Sequence, residues 1–264
     1  MPITTLDQLI AAPRQRVGIL KTASMTTAAT IPFTVFAQAG NPGAGTLAGS
    51  STAAGVVPTD ADAGFPTINA FGSGATGHIG KVEFGSSVAC RLTLFDMLWK
   101  GGAYAFNANQ AVTPPSFAAR VPGGNDFVGT ELWFEQVTAA TGVQSVTVTY
   151  TNQAGVTGRS TGAVSQGTAG IVGRMTPMPL QAGDTGVQAV TNVAGSVATA
   201  GTFNVLVMRR LWTGRVRIAN DGDVHDLLKT GMPQIFDNSA LTLVVQTDGT
   251  ASGVPEVVCE IVNG

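Results

Sequence analysis

Residues 144–161 read QSVTVTYTNQAGVTGRST. Val146, Val148 and Tyr150 alternate with Ser145, Thr147 and Thr149. Successive side chains of a strand point to opposite faces, so this alternation describes a strand with one buried face. Asn152-Gln153-Ala154-Gly155 supplies turn residues, and Val156 to Thr161 begins a returning strand. The stretch therefore predicts a β-hairpin.

Working outward, the same logic marks GKVEF (80–84), SVACRLTLF (87–95), GTELWFEQV (129–137), FNVLVMRRL (203–211), LTLVVQT (241–247) and EVVCEIV (256–262). All are rich in β-branched or aromatic residues and bounded by Gly, Asn, Asp or Pro. Arg91, Glu131 and Glu135 fit outward positions in these strands. With aromatic residues at only 6%, the core is mostly aliphatic. Helix is minor. Thr5-Leu6-Asp7-Gln8 has the form of a capping box, and Pro13 stops the helix after about two turns. A second short helix is expected over Asn220 to Lys229, capped by Asp223 and ended by Gly231-Met232-Pro233. Phe95 to Trp99, FDMLW, reads as one further helical turn after a strand.

Two stretches look irregular. Ala37 to Ala63 consists almost wholly of small residues with Pro42 and Pro58, and Ala105 to Gly124 carries Pro114, Pro115 and Pro122. No internal repeat is evident. The expected architecture is mainly β: a single jelly-roll-like β-sandwich over 46–264, with an extended amino-terminal arm over 1–45 and one or two short helices.

Composition narrows the function classes. A chain of 264 residues with 44% hydrophobic residues is long enough for a sizeable core and too apolar for a disordered polypeptide. Only 11% of residues are charged, against roughly 25% in an ordinary soluble domain. Such a surface suits a protein packed against partners, or a secreted β-protein. The net charge is −2 and no Lys/Arg cluster exceeds Arg209-Arg210, so direct nucleic-acid binding is not expected. Asp7 interrupts the amino terminus, and no run reaches the roughly 18 uncharged apolar residues of a membrane helix. Neither a secretion signal nor a membrane partner is expected, and synthesis in a cytoplasm is. Cys90 and Cys259, far apart in apolar strand-like surroundings, read as buried reduced thiols.

The raw material for catalysis is thin. His78 sits in a Gly-rich loop and His225 in the expected second helix, and no CxxC or HxxxH spacing suggests zinc. Asn220-Asp221-Gly222-Asp223 and Asp60-Ala61-Asp62 invite a calcium reading, but the first lacks the EF-hand ligand order and is explained by a helix start. The strings at 40–45 and 72–77 match no phosphate-binding loop, and no GxSxG elbow occurs. Glu131 and Glu135 beside Trp133 are the best carboxylate pair, and a solvated strand edge accounts for them. No catalytic residue, cofactor or metal is assigned, and the protein is expected not to be an enzyme.

Several phrases together resemble a family of tailed-phage virion structural proteins encoded near the major capsid protein. They are MPITTLDQLIAAPRQRVGILKTAS (1–24), LFDMLW (94–99), VTVTYTNQAGVTGRST (146–161), MPLQAGDTGVQAV (178–190) and KTGMPQIFDNSALTL (229–243). The resemblance implies a decoration, cement or minor head protein made in the host cytoplasm and bound to the capsid exterior. Its partners would be the major capsid protein and further copies of itself, as a homotrimer matching the lattice symmetry. In the amino-terminal arm, Leu6, Leu9 and Ile10 offer an apolar face and Arg14 and Arg16 offer carboxylate partners, which makes these five the candidate assembly interface. The alternative is that this segment folds back on its own domain. Two other roles remain open: a tail or neck component such as a tube, adaptor or fibre base, and a surface carbohydrate-binding or adhesin module. The latter needs exposed aromatic platforms, for which Trp99, Trp133 and Trp212 are the candidates.

Overall fold

A computed structural model describes residues 5–48, 51–165 and 170–264. The strands in chain order are β1 (Arg14–Lys21), β2 (Pro32–Thr34), β3 (Gly40–Asn41), β4 (Gly77–Ser86), β5 (Cys90–Ala105), β6 (Asn109–Ala111), β7 (Thr130–Thr138) and β8 (Val146–Asn152). They continue as β9 (Arg159–Ser160), β10 (Met175–Met178), β11 (Val187–Gly195), β12 (Thr202–Val216), β13 (Asp221–His225), β14 (Gln234–Ile235), β15 (Leu241–Thr247) and β16 (Pro255–Asn263). Among the described residues, helix is confined to α1 (Leu6–Ala11), α2 (Leu227–Thr230) and two short 3-10 turns at 118–124. The fold class is the expected one, a mainly β sandwich with two short helices.

Three antiparallel sheets make up the sandwich. A central sheet runs β10-β7-β12-β5-β15-β2, an outer sheet runs β13-β4-β16-β1-β3 with β14 beside β4, and a four-stranded sheet runs β6-β11-β8-β9. The length of β5 and β12, sixteen and fifteen residues, organises the rest. One half of this pair carries Cys90, Leu92, Leu94, Leu211 and Trp212, which pack on Val17, Ile19, Val82, Val257, Cys259 and Ile261 of the outer sheet. The other half carries Trp99, Tyr104, Phe203, Val205 and Val207, which pack on Val146, Val148, Tyr150, Val187, Val190 and Val193 of the four-stranded sheet. Strand parity places both partner sheets side by side on one face of the central sheet. The reverse face, with Phe95, Met97, Trp133, Leu206 and Met208, is roofed by Phe36, which follows β2, and by Phe65 from the long loop before β4.

The opening hairpin is present. Val146, Val148 and Tyr150 are buried, and the turn closes through Gly155 N–H donating to the Asn152 carbonyl. The returning strand is only the two-residue β9. The capping box also forms: Gln8 N–H donates to Thr5 Oγ1 at 3.2 Å and Thr5 N–H to Gln8 Oε1 at 3.1 Å. Both cysteines are free and buried.

Other expectations are corrected. FDMLW is no helical turn but the middle of β5, buried on both faces. Residues 221–225 form the edge strand β13, and the second helix shrinks to α2, whose cap is Asp226 and not Asp223. Asp226 Oδ1 accepts from the amides of Leu228 and Lys229, and Gly231 closes the helix at φ 67°, a left-handed conformation natural to glycine. From Arg14 onward the expected arm is built into the sandwich, with β1 in the outer sheet paired to β16 from Arg14↔Val262 to Leu20↔Glu256 and to β3 on its other side, and β2 in the central sheet beside β15. Apart from β3, the described residues of the 37–63 stretch are as irregular as expected, and they lie close against the sheet. Trp99 Nε1 donates to the Ala54 carbonyl at 2.9 Å, and Gly55 sits so near the indole that a Cβ there would fall 2.4 Å from it. Small residues in this loop let the backbone reach the ring.

Phe203 lies between Phe134 and Phe106, each 5.0 Å away between ring centroids, with no exposed surface. Phe203→Ala is expected to lower unfolding free energy by about 3–5 kcal/mol, read as a shift in the urea midpoint with the slope unchanged.

Candidate functional site

Buried charge is the chemical feature that stands out from the aliphatic core. Asp96 lies on β5 between the two cores, on the face shared by the outer and four-stranded sheets, and has no exposed surface. It accepts from Ser239 Oγ at 2.8 Å, from Ala240 N–H at 3.0 Å and from the Arg120 guanidinium, with Arg209 at 3.6 Å. Arg120 also donates to the Met97 carbonyl at 2.8 Å and to the Pro58 carbonyl. Two cations, a hydroxyl and an amide thus converge on one carboxylate, which satisfies the demand that a buried charge be both paired and hydrogen-bonded.

A second group lies under the long loop. Asn204 on β12 donates to Glu135 Oε2 at 2.6 Å and to the Leu47 carbonyl, and Lys100 on β5 donates to the Thr46 carbonyl at 2.8 Å. Burial pushes the Glu135 carboxyl above its ordinary value, while Lys100 pulls it back. Burial lowers Lys100. Glu135 is therefore not the outward residue of a solvated edge: the roofing loop covers its face. Glu131, its neighbour on that face, is partly exposed and held by Arg210 Nε at 3.0 Å and Trp133 Nε1 at 2.9 Å. Beside this group a cleft of about 440 Å³ is lined by Phe36, Val56, Val57, Pro58, Phe65 and Lys100 among others. Its walls are mostly apolar.

The third group ties the hairpin. Asp184 accepts from Tyr150 Oη at 2.6 Å, Asn152 Nδ2 at 2.7 Å and Arg159 Nε at 2.9 Å, and Gln181 N–H donates to Tyr150 Oη at 2.8 Å. The Arg159 bond is the largest cause that holds the Asp184 carboxyl down at about 2. Burial is the largest cause that pushes the Tyr150 phenol up to about 12.

The expected interface residues are placed apart from these groups. Leu9 is buried and Ile10 is 62% exposed, while the side chain of Leu6 lies outside the described residues. Arg14 and Arg16 face solvent on the outer sheet, and each already has a carboxylate of its own chain: Glu260 and Glu83, both at 2.6 Å. His78 and His225 do not meet. His78 lies on β4, where burial lowers its basicity, and His225 Nδ1 accepts from Trp212 Nε1 at 2.9 Å. Asp221 and Asp223 accept from the amides of the residues that follow them, at 2.8 and 2.7 Å. Among the described residues no group of three or more His, Cys, Asp and Glu side chains is placed to hold a metal ion, and no helix is long and apolar enough to cross a membrane. Trp99, Trp133 and Trp212 are all buried.

Sequence reasoning missed Asp96 and Arg120 altogether. The signal available was slight: a lone Asp inside the apolar run LFDMLW, where a charge needs a partner.

Two outcomes follow from these groups. Asp96→Asn leaves Arg120 and Arg209 buried against a neutral amide and is expected to cost about 3–5 kcal/mol, measured by urea unfolding. Asp184 has a folded value below its unfolded one, so its stabilisation is complete above about pH 4. It is lost as pH falls towards about 2. Amide exchange of 150–160 should accelerate over that window in the native chain, and the pH dependence should vanish in Asp184→Asn.

No family model matches the chain, and no characterised protein sequence does either. Among solved structures, infectious bursal virus-derived T=1 particles give a TM-score of 0.17 at 9% identity, covering 96% of this chain and 77% of the other. The infectious bursal disease virus VP2 subviral particle gives 0.17 at 10% identity, covering 96% and 80%. The Gt strain of that virus gives 0.16 at 11% identity, with the same coverage. Scores this low support no inference about fold or role.

Proposed function

We propose that this chain is a non-enzymatic structural component of a tailed-phage particle: a capsid decoration or cement protein that binds the exterior of the shell and bridges capsomers as a homo-oligomer. The observation that carries this reading is where the family-like phrases meet. Asp96 of LFDMLW accepts from Ser239 and Ala240 of KTGMPQIFDNSALTL. Asp184 of MPLQAGDTGVQAV accepts from Tyr150, Asn152 and Arg159 of VTVTYTNQAGVTGRST. In the opening phrase, buried Lys21 donates to the Gln38 and Pro42 carbonyls at 3.1 Å. Two pairs of these phrases thus meet at buried charges, and the opening phrase ties down the 38–42 segment, so the stretches that carry the resemblance also hold the fold together.

Surface chemistry agrees with assembly. Ile218, Val224, Leu227 and Leu228 are exposed within one short stretch around the edge strand β13, with Leu228 at 83%. Exposed apolar residues beside an unpaired strand edge are a liability in a free monomer and an asset at an interface. Of the amino-terminal candidates, Ile10 keeps that role best, because Leu9 is buried and Arg14 and Arg16 are internally paired. The carbohydrate-module reading loses its aromatic platforms with the burial of the three tryptophans.

The test is direct. Recombinant protein should co-sediment with expanded phage shells at a stoichiometry set by their symmetry axes, and Leu228→Asp should weaken that binding while leaving the fold intact. Imaging of virions should show its density on the shell. Density in the tail or neck, or binding to neither shell nor tail, would overturn the decoration role.

A further inference from the structure

The roofing loop covers the reverse face of the central sheet only as far as Phe95 and Val244. Beyond them the face is open, and it carries an arrangement that folding alone does not explain. Arg215 of β12 stands directly opposite Arg91 of β5, and Gln246 of β15 is opposite Arg91 on its other side. Like charges directly opposite across an antiparallel pair are destabilising, and guanidinium groups do not lose their charge. Arg14, Arg16, Arg159 and Arg210 each have a carboxylate of this chain at 2.6–3.0 Å. Arg91 forms no ion pair among the described residues, and neither does exposed Arg217, two positions beyond Arg215. Asp248 approaches Arg215 only to 3.6 Å, with both side chains more than half exposed.

The row is also concave. Arg91, Arg215, Gln246, Asp248 and Thr30 line a depression of about 200 Å³. At its rim Thr30 holds φ 63°, a left-handed conformation that a β-branched residue rarely adopts. It is pinned there by Thr30 N–H donating to the Thr247 carbonyl at 2.8 Å and Gln246 Nε2 donating to the Thr30 carbonyl at 2.5 Å. Strained backbone of this kind persists where the surroundings impose it, and it clusters at binding sites.

We propose that this row is a carboxylate-binding site that takes an acidic side chain from a segment of a partner protein. The forks of Arg91 and Arg215 match the two oxygens of a planar carboxylate, and Gln246 flanks them. Asp248 is the internal competitor that the incoming group displaces from Arg215. Charge complementarity selects the occupant: two arginines face each other here in a chain of net charge −2, without the extended basic stripe that a phosphate backbone requires. The site does not depend on the virion reading and stands if the partner proves not to be a capsid.

The full-length chain titrated into fluorescein-labelled hexaglutamate, followed by anisotropy in 50 mM salt, tests it. Saturable binding is expected, weakening as salt rises. Arg91→Ala and Arg215→Ala should each weaken it about tenfold, and Arg91→Lys should fall short of wild type because lysine lacks the fork. Asp248→Asn should tighten it, and Arg16→Ala on the outer sheet should leave it unchanged. Arg91→Ala should also melt at or above the wild-type temperature, which separates lost binding from lost fold. The proposal is overturned if wild type shows no saturable binding, if Arg16→Ala loses as much as Arg91→Ala, or if inorganic phosphate displaces the peptide better than citrate does.

Discussion

One buried carboxylate holds the joint on which the architecture turns. The strands β5 and β12 are long enough to serve two sandwiches, so their shared face must pass from one partner sheet to the other. Asp96 and Arg209 occupy that passage, between Leu94 and Trp99 on one strand and between Val207 and Leu211 on the next. A gap between two packed sheets leaves backbone groups without partners, and apolar side chains cannot satisfy them. Asp96 takes up the amide and hydroxyl of the turn before β15, while Arg120 takes up the Met97 and Pro58 carbonyls. Removing one partner of such a buried pair is costly, so arrangements that leave Asp96 or Arg120 unpaired are disfavoured.

The same solution recurs on a smaller scale. Lys21 inside β1 gathers two carbonyls of the 38–42 loop, Lys100 and Asn204 hold the 46–47 loop, and Asp184 clamps the hairpin tip. Lys21, Lys100 and Asn204 each place a long polar side chain from a strand against irregular backbone, whereas Asp184 does the reverse and holds strand side chains from a loop. In a chain with so few charged residues, a notable share of them sits inside and ties loops to sheets. That leaves a surface of small polar groups, exposed apolar positions near β13 and two facing arginines with one carboxylate beside them.

Legibility in the sequence tracked burial geometry. The hairpin was readable because Val146, Val148 and Tyr150 are buried while their alternate neighbours are not, and the capping box was readable because its partners lie three residues apart. FDMLW was misread because a strand packed on both faces loses the two-residue period that would distinguish it. NDGDVHDLLK was misread because Asp221, Asp223 and Asp226 all fit a cap locally. Pairing with β4 gave the first two to a strand and left only the third to the helix. Glu135 looked outward by parity, and parity was right about the face. What it could not reveal was that the distant segment around Thr46 and Leu47 covers that face.

The sequence alone thus determined the β class, the main strands, the first helix cap and the buried thiols, because each rests on contacts or periodicities within a few residues. Tertiary structure alone decided the rest: that β1 joins a sheet with the carboxyl-terminal strand, that β5 and β12 bind two sheets at once, and that Asp96 finds Ser239 from 143 positions away. Those pairings satisfy buried charge and unpaired backbone, and such demands appear only once distant segments have excluded water from one another.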